Sequence, residues 1–213
     1  MRRIFLSLFA LFALSGPVFS DGEPAGEFDY YVLALSWSPN WCALEGDRRG
    51  SDQCDARHDH GWILHGLWPQ FTSGWPSYCR TSHRAPSRSD TRAMRDIMGT
   101  GGLAWHQWKK HGTCSGLSSD DYFTLSRLAY SRVTRPSVFR KLTDPVKLPA
   151  SVVEEAFLKA NPSLSADMIT ITCKRGHIQE ARLCFTRDLT PRRCGADVLR
   201  DCSLRDALFT PVR

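Results

Sequence analysis

No stretch of this 213-residue chain is long enough to cross a bilayer as an apolar helix. The apolar run Ile4 to Leu14 falls well short of the roughly 20 residues that a span requires. It follows Arg2 and Arg3, is broken by Gly16 and Pro17, and leads into Val18-Phe19-Ser20, with small residues where a cleavage site needs them. That is the build of a signal peptide. Residues 1–20 are therefore expected to be removed, leaving 21–213 as one domain that is secreted or periplasmic and has no membrane attachment. Close cysteine pairs are missing too: none of the eight cysteines stands in the C-x-x-C spacing that structural zinc sites favour. An even number of cysteines in an exported chain reads instead as four disulfides, whose pairing the spacing leaves open. There is no carboxylate cluster to hold a catalytic metal, which argues against metal-dependent phosphodiester chemistry, and no metal or cofactor is expected. Internal repeats and a second domain are also absent. Monomer is the default expectation.

The net charge is +6, which suits a polyanionic partner without identifying one. Residues 29–37 alternate Tyr31, Leu33, Leu35 and Trp37 against Tyr30, Val32, Ala34 and Ser36. Both sets are largely apolar, so a central strand buried on both faces is expected. Trp62 to Trp68 reads as a second strand ended by Pro69, with residues 43–60 between them as a loop. The Ser/Pro/Arg/Gly-rich stretch 71–90 reads as a long surface loop. Helices are expected over Leu103–His111, stopping at Gly112, and after Ser118-Ser119-Asp120-Asp121. A third is expected after the capping box Ser151-x-x-Glu154, ending at Pro162. Met168–Lys174 and His177–Thr186 read as strands joined by a turn at Arg175-Gly176. Strands scattered among helices with a tight hairpin predict an α+β fold on an antiparallel sheet.

Two of the seven histidines lie in unusual surroundings. His65 interrupts an apolar strand, Trp62-Ile63-Leu64-His65-Gly66-Leu67-Trp68-Pro69-Gln70, in which Gly66 allows a ligand to approach the backbone. The second segment is Trp105-His106-Gln107-Trp108-Lys109-Lys110-His111-Gly112-Thr113-Cys114. On a helix, Gln107, Lys110 and His111 share one face with His106 at its edge, while Trp105 and Trp108 are expected in the core. RNA carries its own nucleophile, the 2′-hydroxyl, beside the phosphodiester. Cleavage then needs only a base, an acid and a cation for the developing charge, with no metal. Two histidines and a lysine supply that set. Other candidates read more simply as surface. His58 and His60 would point the same way on a strand but lack a third metal ligand. His83 and His177 fall in a loop and at a strand start. Arg80, Arg84, Arg88 and Arg92 are either a phosphate-binding rim or a solvated face.

The segments His65-Gly66-Leu67-Trp68-Pro69 and His106 to Cys114 resemble the two active-site segments of the ribonuclease T2 family. The likeness runs from Tyr31 to the C-terminal cysteines. It implies an α+β fold and a metal-independent endoribonuclease of low base specificity, acting on single-stranded RNA through a 2′,3′-cyclic phosphate. By the same resemblance His111 is the base, His65 the acid, His106 holds the phosphate and Lys110 stabilises the transition state. Trp68 would stack on a base, and Gln70 lies near the base pocket. The implied disulfides are Cys42 with Cys54, Cys79 with Cys114, Cys173 with Cys202 and Cys184 with Cys194. Two positions depart from the family pattern: Gln107 stands where a glutamate is usual, and Gln70 where relatives often have Asp or Asn. Gln107 leaves open an alternative, an exported RNA-binding protein of the same fold with weakened or lost catalysis.

Overall fold

The computed structural model describes residues 22–213, so the expected signal peptide, residues 1–20, lies outside the described residues. The fold is α+β. Strand β1 (Tyr30–Trp37) is buried along its whole length. It has one face, through Tyr31, Leu33, Leu35 and Trp37, in the main core. On its other face Tyr30 and Val32 pack with Cys184, Cys194 and Val198. Both faces are covered, which is why the sequence of β1 is apolar throughout.

A short helix, α1 (Ser38–Trp41), follows β1. Residues 43–60 were expected as a loop; residues 42–58 are instead a succession of short helical turns. The Cys42–Cys54 bridge draws them together. Strand β2 (Trp62–Gln70) does not stop at Pro69 as expected; Pro69 pairs with Tyr31. The sheet order explains this. β2 lies at the edge of the sheet, beside β1, where a residue with no N–H leaves no ladder bond unmade.

Residues 71–87 are irregular, as the composition of 71–90 predicts, but the last three residues of that expected loop open α2 (Arg88–Ala93), followed by α3 (Arg95–Met98). Helix α4 (Gly101–Lys110) is capped by Thr100, whose hydroxyl accepts from the Leu103 N–H at 3.1 Å. Helix α5 (Ser119–Arg132) is capped by Ser118 in the same way. Strand β3 (Val146–Leu148) comes next. Helix α6 (Ala150–Ala160) starts a residue earlier than the expected capping box, behind Pro149, and no side chain caps it. Pro149 fixes the extended entry and Ser151 is already inside the first turn.

Strands β4 (Ile169–Lys174) and β5 (His177–Phe185) form the expected hairpin, turning at Arg175 and Gly176, both with positive φ. The short strand β6 (Ala207–Phe209) meets β5 in parallel at one residue pair, His177 with Leu208. The sheet is therefore mixed, where an antiparallel one was expected, although every other pairing is antiparallel. The four disulfides pair as the resemblance implied.

Two irregularities in the sheet position the site. Ala34 pairs with Gly66 and Leu35 with Leu64, so His65 is an extra residue in β2. Strict alternation would put His65 on the same face as Leu67, in the main core. The bulge keeps both Leu64 and Leu67 in that core and releases the imidazole to the other face. A second bulge leaves Gln179 unpaired between Ile178 and Glu180 in β5.

Candidate active site

On the face of the sheet opposite the main core lies a cavity of about 380 Å³. His65 reaches it from the β2 bulge, while His106, Gln107, Lys110 and His111 reach it from α4 and its C-terminal cap. All five sequence-predicted catalytic candidates thus share one cavity, together with Trp68 and Gln70. A second cavity of about 570 Å³ adjoins it across His65, His106 and Gln179.

The side chains hold one another in place. Trp68 donates its indole N–H to Gln107 Oε1 at 2.7 Å. The Trp68 ring stacks on His111, with centroids 5.2 Å apart and planes at 26°, and meets His65 edge to face at 5.3 Å. Gly66 lies under this arrangement: a Cβ there would come within 2.1 Å of Gln107 Oε1 and 2.4 Å of Trp68 Nε1. The glycine therefore admits two side chains of the protein itself, not the ligand expected from the sequence. Gln70 is buried and donates to the Pro69 carbonyl at 2.8 Å.

At the end of α4 the chain must turn beneath the core. Gly112 permits this, since a Cβ there would meet Trp108 at 2.5 Å. The Cys79–Cys114 bridge and the Tyr78 N–H bonded to the Lys110 carbonyl fasten the turn. Trp108 packs into the core against Tyr122. Trp105 does not; it is 45% exposed, because it lies on the outward side of α4.

His111 is 6% exposed, and its Nδ1 has no hydrogen-bond partner among the described residues. Burial, then the nearby Lys110, His65 and His106, push its pKa down to about 3. His106 is lowered for the same reasons, burial first and Lys110 second. Residues missed in the sequence complete the cavity. Glu180, 1% exposed, accepts from His65 Nδ1 at 2.5 Å, and Arg182 beside it lies 5.3 Å from the Trp68 ring centroid. Trp75, 56% exposed, Asp197 and Gln179 also line it. The only signal for Glu180 and Arg182 was a charged pair two residues apart inside a strand that ends in an apolar run.

Arg80, Arg84, Arg88 and Arg92 do not line this cavity; its guanidinium comes from Arg182. His58 and His60 stack on each other 5.4 Å apart, away from it. Among the described residues, the single cluster with metal-ligand spacing is Cys42, Asp47 and Cys54, and its two sulfurs are bonded to each other.

Fold and cavity together define a disulfide-braced α+β protein with a cleft of histidines, lysine and aromatic rings. The ribonuclease T2 family profile matches residues 28–194, and the chain belongs to that family. A ribonuclease of Aeromonas hydrophila is 44% identical over 128 residues, covering 59% of this chain and 56% of the relative. A probable ribonuclease of Haemophilus influenzae is 31% identical over 121 residues, covering 51% and 44%. The chain thus spans about half the length of these curated relatives. Among solved structures, an RNase-related protein from Calystegia sepium superposes with a TM-score of 0.64 at 20% identity, covering 87% of this chain and 98% of that one.

Proposed function

We propose that the protein is a metal-independent endoribonuclease that cleaves single-stranded RNA by transphosphorylation, leaving 2′,3′-cyclic phosphate ends. The observation that carries this reading is the convergence of His65, His106, Lys110 and His111 on one cavity from two distant segments. Such a reaction needs a neutral imidazole as base. His111, surrounded by positive charge and buried, stays neutral far into the acid range. It takes the proton of the 2′-hydroxyl as that oxygen attacks phosphorus. His65 gives a proton to the departing 5′-oxygen, so the P–O5′ bond breaks as the cyclic ester forms. Lys110 stabilises the charge on the non-bridging oxygens, and His106 holds the phosphate.

Gln107 cannot carry charge, but its orientation is set. Its carbonyl oxygen accepts from Trp68, so its amide N–H groups are left to donate to a phosphate oxygen. The Trp68 ring already stacks on His111, and the exposed Trp75 adds a second stacking surface in the same cavity. Base stacking tolerates every base, and with Gln70 at the wall this supports low base specificity. Four disulfides support an exported site of action, secreted or periplasmic. No helix among the described residues is long and apolar enough to cross a membrane.

The test is digestion of one RNA sequence beside its 2′-O-methyl analogue. The reading predicts cleavage of the first and none of the second; cleavage of both would exclude the 2′-hydroxyl as nucleophile.

A further inference from the structure

Glu180 is buried to 1%, and among the described residues no other Asp, Glu, Lys or Arg is buried so deeply. A carboxylate in that position is costly unless each oxygen is engaged. Oε2 accepts from both Nε and Nη2 of Arg182, at 2.9 and 2.7 Å. That fork alone balances the charge. Oε1 is nonetheless committed to His65 Nδ1 at 2.5 Å. In β1, Glu180 stands opposite Ser36 and Arg182 opposite Ala34; in β4 they stand opposite Thr172 and Thr170. The two bulges, at His65 and Gln179, flank the contact.

We infer that Glu180 is a positioning residue for His65, with Arg182 as its anchor: the carboxylate fixes the ring with Nδ1 on the carboxylate and Nε2 turned to the cavity, aligned to deliver a proton to the leaving oxygen. The inference rests on His65 being the general acid. Apart from Asp197, the other charged or titratable groups lining the two cavities that His65 meets are Arg182 from β5, His106, Lys110 and His111 from α4 and its cap, and, in the second cavity, Arg49 and Lys174. None of them is an anion. Asp197, the other carboxylate lining the cavity, is held by the Gly74 N–H at 2.7 Å. Glu180 is therefore the carboxylate that holds His65 in this cavity. Against its burial, His65 and then Arg182 hold the Glu180 carboxyl well below the usual carboxylate range.

The test compares two substrates on Glu180→Gln: a dinucleoside phosphate, whose alkoxide leaving group needs a proton, and a nucleoside 3′-(4-nitrophenyl phosphate), whose leaving group does not. The expected result is a fall in kcat/KM of about 100-fold on the first and less than about threefold on the second, within the range of a general acid's contribution. Should Glu180→Gln fail to fold, the pair Glu180→Gln with Arg182→Gln, which buries no uncompensated charge, carries the same comparison. Equal losses on both substrates, or no loss on either, would overturn the inference. His65→Ala is the control. If the aryl ester does not restore its rate either, the acid assignment itself is wrong, whatever Glu180 does.

Discussion

His111 sits among cations with no carboxylate beside it, and residue 107 is where that absence arises. Replacing Gln107 with Glu places a negative charge one helical turn from His111, which favours the imidazolium. Because the base works in its neutral form, the acid limb of kcat/KM against pH should then move upward, by about one unit for each 1.4 kcal/mol of added interaction. A pH–rate profile of Gln107→Glu beside the parent checks this; an unmoved limb would detach residue 107 from the base. The same depressed pKa has a consequence for stability. Between pH 6.5 and 5 the unfolded His111 takes up a proton that the folded one, at about 3, refuses. The fold should lose on the order of 2 kcal/mol across that window, with stability falling as pH falls. His111→Asn should lose correspondingly less in urea titrations at the two pH values. Five of the site residues were legible because His65 breaks an apolar strand and the other four fall in one short, polar-rich run, His106 to His111. Glu180, Arg182 and Trp75 were not, because only the folded sheet and the 71–87 segment bring them to His65 and Lys110.

At the scale of elements, the bulge in β2 and the start and end of α4 do most to shape the cavity. Periodicity located the long helices and the β4–β5 hairpin within a few residues, since those signals are local. It could not find the bulge at His65, because an extra residue is defined only by the register of the neighbouring strand. It also misplaced Trp105, since helical spacing shows which residues share a face but not which face is covered. The β3 and β6 strands, three residues each, are too short to carry a pattern. Gly66 gives the clearest test at this scale. Gly66→Ala puts a methyl group against the Gln107 amide and the Trp68 indole, so at least one must leave its place. The expected outcome is a loss of about 1–3 kcal/mol in stability, read as a lower thermal midpoint, together with a fall in kcat. Unchanged kcat would mean that the Trp68–Gln107 contact is not needed for turnover.

Across the whole molecule, cross-links compensate for a chain whose catalytic groups come from distant segments. The Cys79–Cys114 bridge spans 35 residues and fastens the turn directly after His111. Removing it as Cys79→Ala with Cys114→Ala should cost about 2–4 kcal/mol and reduce activity more than the loss of Cys173–Cys202, which lies away from the cavity lining. Equal effects on activity would contradict the role given to that turn. The number of disulfides and the α+β class were legible from composition and element order. The pairing of the cysteines came with the resemblance, and the parallel contact between β5 and β6 was beyond both. The central claim is that two histidines cleave RNA here without a metal, with Gln107 in place. It is tested most directly by digesting RNA with the oxidised protein in excess chelator and analysing the 3′ ends, with His111→Ala as control. Cyclic 2′,3′-phosphate ends that vanish in the control are the predicted result. Tight RNA binding with no cleavage by either protein would contradict it and leave a binding protein of the same fold.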